Sequence, residues 1–250
     1  MKGTSYSKVP TGIEGLDSML EGGLPKGRII LIRGSPGAGK SILCSHYLHN
    51  GATKFGENGI YVSLEESKHQ LFREMNLFDM DFKNLEDENQ VAFIDASPIR
   101  HTPAETKLGN IRVGRRDFSL MALGKVIQTQ AEEWKAERIV IDPLTALSLQ
   151  YPDDVRRWEM MLDLLEILGR TSATCILTED LRSPSLAGEI PIEDYAVHGV
   201  ILMQSLEMGK GAVKTIRIVK MRESKHDDQT RIYQIDEGGI VVYPTTAWSI

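Results

Sequence analysis

Residues 28–41 run Arg28-Ile-Ile-Leu-Ile-Arg-Gly34-Ser-Pro-Gly-Ala-Gly-Lys40-Ser41. The apolar run Arg28–Arg33 reads as a buried strand, and a helix is predicted from about Lys40 to Lys54. The turn between them fits G-x-x-x-x-G-K-[ST], a pattern whose glycines let backbone N–H groups converge on phosphate oxygens. The helix N-terminus adds partial positive charge at the same point. Lys40 would then reach the β- and γ-phosphates, and the Ser41 hydroxyl would be a magnesium ligand. Gly34, Ser35, Pro36, Gly37, Ala38, Gly39, Lys40, Ser41 and Ile42 are the predicted nucleotide contacts, with Lys40 also catalytic.

Working outward, strands and helices alternate. Gly59–Leu64, Val91–Ala96, Arg138–Asp142 and Thr174–Thr178 read as strands. Ser67 and Gln70 form a capping-box signature for a helix over Lys68–Met75. Ser119 is the predicted N-cap of a helix marked by Leu120, Leu123, Ile127, Ala131 and Trp134. Val155, Trp158, Leu162, Leu165 and Leu168 mark one face of the next helix. Past residue 198 the helical rhythm stops. Val200–Leu206, Thr215–Met221, Arg231–Ile235 and Ile240–Tyr243 are strands, and Asp236-Glu-Gly-Gly239 signals a hairpin. The expected fold is α/β: a central, mostly parallel sheet flanked by helices, with an antiparallel C-terminal strand extension. One domain over 1–250 is expected, with a lead-in (1–27), a P-loop core (28–180) and the β extension (198–243). Ser97–Phe118 and Arg182–Val197 are predicted as irregular loops.

The chain has 250 residues, 41% hydrophobic and 26% charged, with a formal charge of −6. That balance lacks the basic footprint of a nucleic-acid binder. No apolar run reaches the roughly 20 residues of a membrane span, and the N-terminus has no signal-peptide h-region. Cys44 and Cys175 sit in apolar stretches without metal-ligand spacing, as buried reduced thiols of a cytoplasmic protein would. Magnesium also needs a carboxylate at a neighbouring strand end. Asp95 and Asp142 both qualify, and spacing alone does not separate them.

Thr11-Gly-Ile-Glu-Gly-Leu-Asp17, Gly22-Gly-Leu-Pro-Lys-Gly27, the P-loop, Tyr61-Val-Ser-Leu-Glu-Glu66 and Lys220-Met-Arg222 together resemble the KaiC branch of the RecA superfamily of ATPases, in order from about residue 8 to 243. The resemblance implies ATP or ADP with Mg2+ as ligands and makes Asp142 the Walker B aspartate beside Ser41. It also places the residue that polarises the attacking water at Glu65, with Glu66 in support. By the same resemblance Lys220 and Arg222 reach the nucleotide of the next subunit, so the implied assembly is a homo-oligomeric ring, a hexamer. Thr178 and Glu179 stand where relatives place a γ-phosphate sensor.

Tandem members of the family carry an adjacent Ser-Thr phosphorylation pair where this sequence has Asp194 and Tyr195, so no phosphorylation cycle is implied. DNA-contacting loops of recombinase-type relatives would fall at Ser148–Asp154 and Arg182–Val197, both acidic, which disfavours nucleic acid. Lys107, Arg112, Arg115 and Arg116 form a basic cluster that could touch nucleic acid or a neighbouring subunit. The expectation is an ATP-hydrolysing ring read by unidentified protein partners.

Overall fold

The computed structural model describes residues 7–97, 105–108, 111–151, 153–181, 192–208 and 211–246. In chain order the elements are β1 (Lys8–Val9), α1 (Leu16–Met19), β2 (Leu24–Pro25), β3 (Ile29–Gly34), α2 (Lys40–Asn50), β4 (Gly59–Ser63), α3 (Lys68–Met75), α4 (Phe82–Asp87), β5 (Val91–Asp95), β6 (Glu105–Leu108), β7 (Ile111–Gly114) and α5 (Arg115–Glu133). There follow β8 (Arg138–Asp142), α6 (Thr145–Ser148), α7 (Asp154–Gly169), β9 (Thr174–Asp180), α8 (Ile192–Ala196), β10 (Gly199–Met208), β11 (Gly211–Met221), β12 (Arg231–Asp236) and β13 (Gly239–Thr246). A π-helical turn, Gly51–Phe55, extends α2 to the predicted length.

One nine-stranded sheet runs in the order β13-β12-β11-β10-β3-β9-β8-β4-β5. The six strands from β10 to β5 are parallel, and β11, β12 and β13 add on antiparallel. Strand β3 shows why the apolar run is continuous. Ile30 and Ile32 face α2 in one core, while Ile29 and Leu31 face the core under α5 and α7. A parallel strand covered on both faces has no solvated side, so alternation is lost. Each of the four contributes about 1.5–3 kcal/mol by burial.

The Thr11–Asp17 motif is a structural clasp. The Asp17 carboxylate accepts from the Thr11 N–H (2.7 Å), the Thr11 hydroxyl (2.8 Å) and the Gly12 N–H (2.8 Å). Gly15 lies at φ 80°, and a Cβ there would stand 1.9 Å from the Val242 carbonyl oxygen. The lead-in is thereby pinned to β13. The fully buried Arg138 pins it from beneath, donating to the carbonyls of Pro10 (2.9 Å) and Tyr47 (2.8 Å) and pairing with Glu57.

Three expectations change. Part of the predicted loop 97–118 is ordered as the β6–β7 hairpin, and α5 starts directly after it at Arg115, so Ser119 lies inside the helix and is not its N-cap. On α7 the buried side chains are Met160, Met161, Leu164, Ile167 and Leu168, while Val155 (66%) and Leu162 (45%) are exposed. This helix carries apolar residues on two stripes with similar spacing, and periodicity selects either. Finally, α8 occupies part of the stretch predicted as the second long loop. Residues 182–191 and the side chains of Lys107, Arg112, Arg115 and Arg116 lie outside the described residues.

Candidate nucleotide site

The loop 34–39 leaves the C-terminal end of β3 and closes on α2, as predicted. Gly37 (φ 74°) and Gly39 (φ 89°) are left-handed, and a Cβ on Gly39 would meet the Ile235 side chain at 2.6 Å. The loop is braced from β11 and β12: Lys214 donates to the Gly37 carbonyl and Tyr233 to the Ala38 carbonyl. Beside these braces lies a groove of about 750 Å³ whose lining includes Lys214, Tyr233, Ile235 and Tyr243. The Ser35 hydroxyl is buried in the loop without a hydrogen-bond partner. A loop with an orphaned donor, left-handed glycines and a lysine at the helix start fits a phosphate chain.

The two candidate aspartates are now separated by topology. Two strand spacings, roughly 10 Å, lie between β8 and the P-loop strand β3, and four, roughly 19 Å, between β5 and β3. Asp95 is exposed and caps a turn by accepting from the Ser97 N–H (3.0 Å). Asp142 is buried and accepts from the Tyr61 hydroxyl (2.6 Å) and from the Thr178 hydroxyl. Both hydroxyls come from strands flanking β8, so the carboxylate is oriented from both sides. Burial of Tyr61 and the nearby Asp142 charge push its phenol well above the usual range, which keeps it a donor. Cys44 is also raised, by burial and then by Asp142, and stays a thiol. Thr178 was expected near this site. Tyr61 was not given a role, although a tyrosine inside a buried strand needs a partner for its hydroxyl.

Glu65 and Glu66 follow the end of β4 in a bend, where strand alternation does not apply. The Ser63 hydroxyl donates to the Glu66 carbonyl (2.7 Å) and accepts from the Glu66 N–H (3.0 Å), fixing that bend. Glu66 is half-buried, and burial, followed by the charges of Glu74, Asp142 and Glu65, raises its carboxyl. Glu65 is exposed. Glu179 turns the other way, into a buried ion pair with Arg33 at 2.6 Å.

Lys220 and Arg222 sit away from this loop. Gly34 pairs with Met203 on β10, whereas Lys220 pairs with Val200, three residues back along the same strand. Lys220 is thus offset from its own loop by roughly 10 Å along the strands and roughly 10 Å across them, with Arg222 farther still. Their side chains turn to one side, as residues two apart on a strand do, and meet the C-terminal carbonyls around α8. Lys220 donates to Asp194 and Val197 (2.7 Å each) and Arg222 to Tyr195 (3.1 Å).

A model of the KaiC ATPase family matches residues 9–247. The chain belongs to the KaiC family of ATPases. It is 31% identical over 237 residues to the UPF0273 protein MJ1359 of Methanocaldococcus jannaschii, covering 95% of this chain and 96% of that one. It is 30% identical over 243 residues to the circadian clock oscillator protein KaiC of Prochlorococcus marinus, covering 96% of this chain but 46% of the relative. The chain therefore spans about half the length of the clock proteins it matches. Among solved structures, the KaiC-like protein PH0186 of Pyrococcus horikoshii OT3 superposes with a TM-score of 0.81 at 30% identity, over 96% of this chain and 100% of that one. The strand-by-strand architecture and the ATP-binding, RecA-like character expected from the sequence stand. Among the described residues no helix is long and apolar enough to cross a membrane.

Proposed function

We propose that this family member hydrolyses ATP in a homo-oligomeric ring of six subunits, with each active site completed by the neighbouring subunit. The observation that carries the shared site is the register of β10 and β11: it sets Lys220 three residues back along the strands from the loop of its own chain, and Arg222 farther still. Cations so far from their own phosphate site serve another subunit's.

In this reading Gly34–Ile42 cradle the phosphates and Lys40 holds the β- and γ-oxygens. The groove at Lys214, Tyr233 and Tyr243 takes the sugar and base. Ser41 and Asp142 would hold Mg2+, which neutralises phosphate charge when bound. Glu65 orients the attacking water and accepts its proton, on the strength of its sequence position. Glu66, in the field of Asp142, supports the metal side. Arg222 of the adjacent subunit presents a planar, always-charged fork to the γ-phosphate, with Lys220 beside it. Protein partners would read the nucleotide state. The acidic Ser148–Asp154 segment gives no support to a DNA-dependent reading.

The test mixes Glu65→Gln with Arg222→Ala. Each alone should lose turnover while still binding ATP. In equimolar rings about a quarter of the interfaces pair an intact Glu65 with an intact neighbouring Arg222, so about a quarter of wild-type turnover should return. No recovery, in rings shown by native mass to have exchanged subunits, refutes the shared site.

A further inference from the structure

Lys40 already has an anionic partner within its own chain. Its ammonium donates to the carbonyls of Gly34 (3.1 Å) and Ser35 (3.3 Å) and stands 2.7 Å from Oδ1 of Asp180. Asp180 is the last residue of β9, in register with Gly34 on β3. Its backbone is fixed there. The Asp180 N–H donates to the Thr145 hydroxyl (2.9 Å), and the following Leu181 N–H donates to the Gly34 carbonyl (3.0 Å). The carboxylate is therefore held at the mouth of the loop by the sheet itself, and only its side-chain rotamer is adjustable. That side chain is 36% exposed, against 9% for Lys40, so water is available to receive it when it turns away.

We propose that Asp180 is a resident counter-ion that occupies Lys40 when nucleotide is absent, competes with the phosphates for it, and biases the loop toward magnesium-complexed over metal-free nucleotide. The inference rests on the reading of the loop as the nucleotide site. A triphosphate claims the same ammonium, so binding must displace a carboxylate and hold it near like charge. The Coulomb cost scales with the charge on the incoming ligand. Magnesium cancels about half of the charge of the triphosphate, so the cost imposed by Asp180 is roughly twice as large, on a logarithmic scale, for the metal-free form. Asp142 adds negative charge to the same site, but it is held by the Tyr61 and Thr178 hydroxyls and remains in place when Asp180 is altered.

The experiment measures equilibrium binding of a fluorescent ATP analogue to the full chain, with excess Mg2+ and with a chelator. Wild type, Asp180→Asn and Asp180→Ala are compared. Asn keeps the shape and Ala removes it, so agreement between them assigns the effect to charge; circular dichroism checks that each is folded. Both variants should bind the magnesium complex about 3–10-fold more tightly than wild type, and the metal-free analogue about 10–100-fold more tightly. Unchanged affinity in both conditions overturns the proposal. Weaker binding confined to the magnesium condition also overturns it, and reassigns Asp180 to the metal. If folded wild-type protein binds the analogue in neither condition, the nucleotide-site reading itself fails, a result distinct from an inert Asp180.

Discussion

Replacing Arg33 by Met should reveal how strongly the P-loop strand is anchored by buried charge. Arg33 is 5% exposed, and its guanidinium donates to Glu179 from Nε (3.0 Å) and Nη2 (2.6 Å), reaches Glu193 (3.2 Å) and pairs with Asp194 at 3.3 Å. Arg157 approaches the cluster only at 3.9 Å from Glu193. Two guanidinium groups thus face three carboxylates, and removing Arg33 leaves the acids mutually repelling in a site with little water. Breaking a buried pair in this way costs about 3–5 kcal/mol. Met fills the volume of the stem, so the cavity term is small. Urea unfolding at about pH 8 should show that loss, and Arg33→Lys should recover only part of it because an ammonium lacks the planar fork that donates to Glu179 from two nitrogens while reaching the other acids. A pH signature separates charge from packing. Burial already raises the Asp194 carboxyl against the opposing pull of Arg33. Without the arginine the Asp194 carboxyl lies further above its unfolded value, so the folded variant binds more protons than the unfolded chain. Its stability must then rise relative to wild type as pH falls toward the carboxylate range. A loss below about 1 kcal/mol, or one unchanged between about pH 8 and pH 5, would refute the electrostatic account.

Two further outcomes follow from the same geometry. His46 is held neutral, its pKa lowered to about 4, chiefly by burial and then by the Lys54 and His49 charges. Its Nδ1 accepts from the Ile240 N–H (3.3 Å). A depressed histidine pKa contributes stability that is present above about pH 6.5 and lost as pH falls toward 4, so His46→Asn should flatten the acid limb of the stability curve by up to about 3 kcal/mol; an unchanged limb in denaturant titrations across that window contradicts this. Tyr61→Phe keeps the ring stacked on Phe93 (centroids 5.9 Å apart) and deletes the donor to Asp142. Magnesium dependence of nucleotide binding should shift to about 10–100-fold higher metal concentration, and an unshifted titration would remove Tyr61 from the metal's support.

The phosphate loop was legible because its chemistry is local. Glycines, a lysine and a serine at fixed spacing, between a strand and a helix, specify a geometry that tertiary contacts only brace. The choice between Asp95 and Asp142 was not legible from spacing, because both end apolar strands; only the strand order puts one of them near β3. Tyr61 and Asp180 were given no role in the sequence reading for the same reason. Their partners lie 81 and 140 positions away in sequence and meet them only through parallel strand register. The Thr11–Asp17 motif was read as a family signature, and its physical content is a carboxylate closing on two backbone N–H groups and a hydroxyl. The exposed stripe of α7 was misassigned because a helix with two apolar faces gives one periodic signal.

The two carboxylates that end β9 join these observations. Glu179 and Asp180 are adjacent, so the strand sends them to opposite faces. One is bound to Arg33 and the other to Lys40, residues that stand on either side of the loop in sequence. The Arg33 cluster continues through Glu193 and Asp194 on α8, and the carbonyls at and just beyond the end of that helix hold Lys220 and Arg222. A phosphate that displaces Asp180 from Lys40 therefore acts on the same short strand end that fixes α8. If the Lys40 contact and the Arg33 cluster are coupled, Asp180→Asn and Arg33→Met together will change stability by an amount different from the sum of the single changes. Strict additivity would mean that β9 holds two independent ion pairs, since contacts that share an element without sharing energy add within about 0.5 kcal/mol.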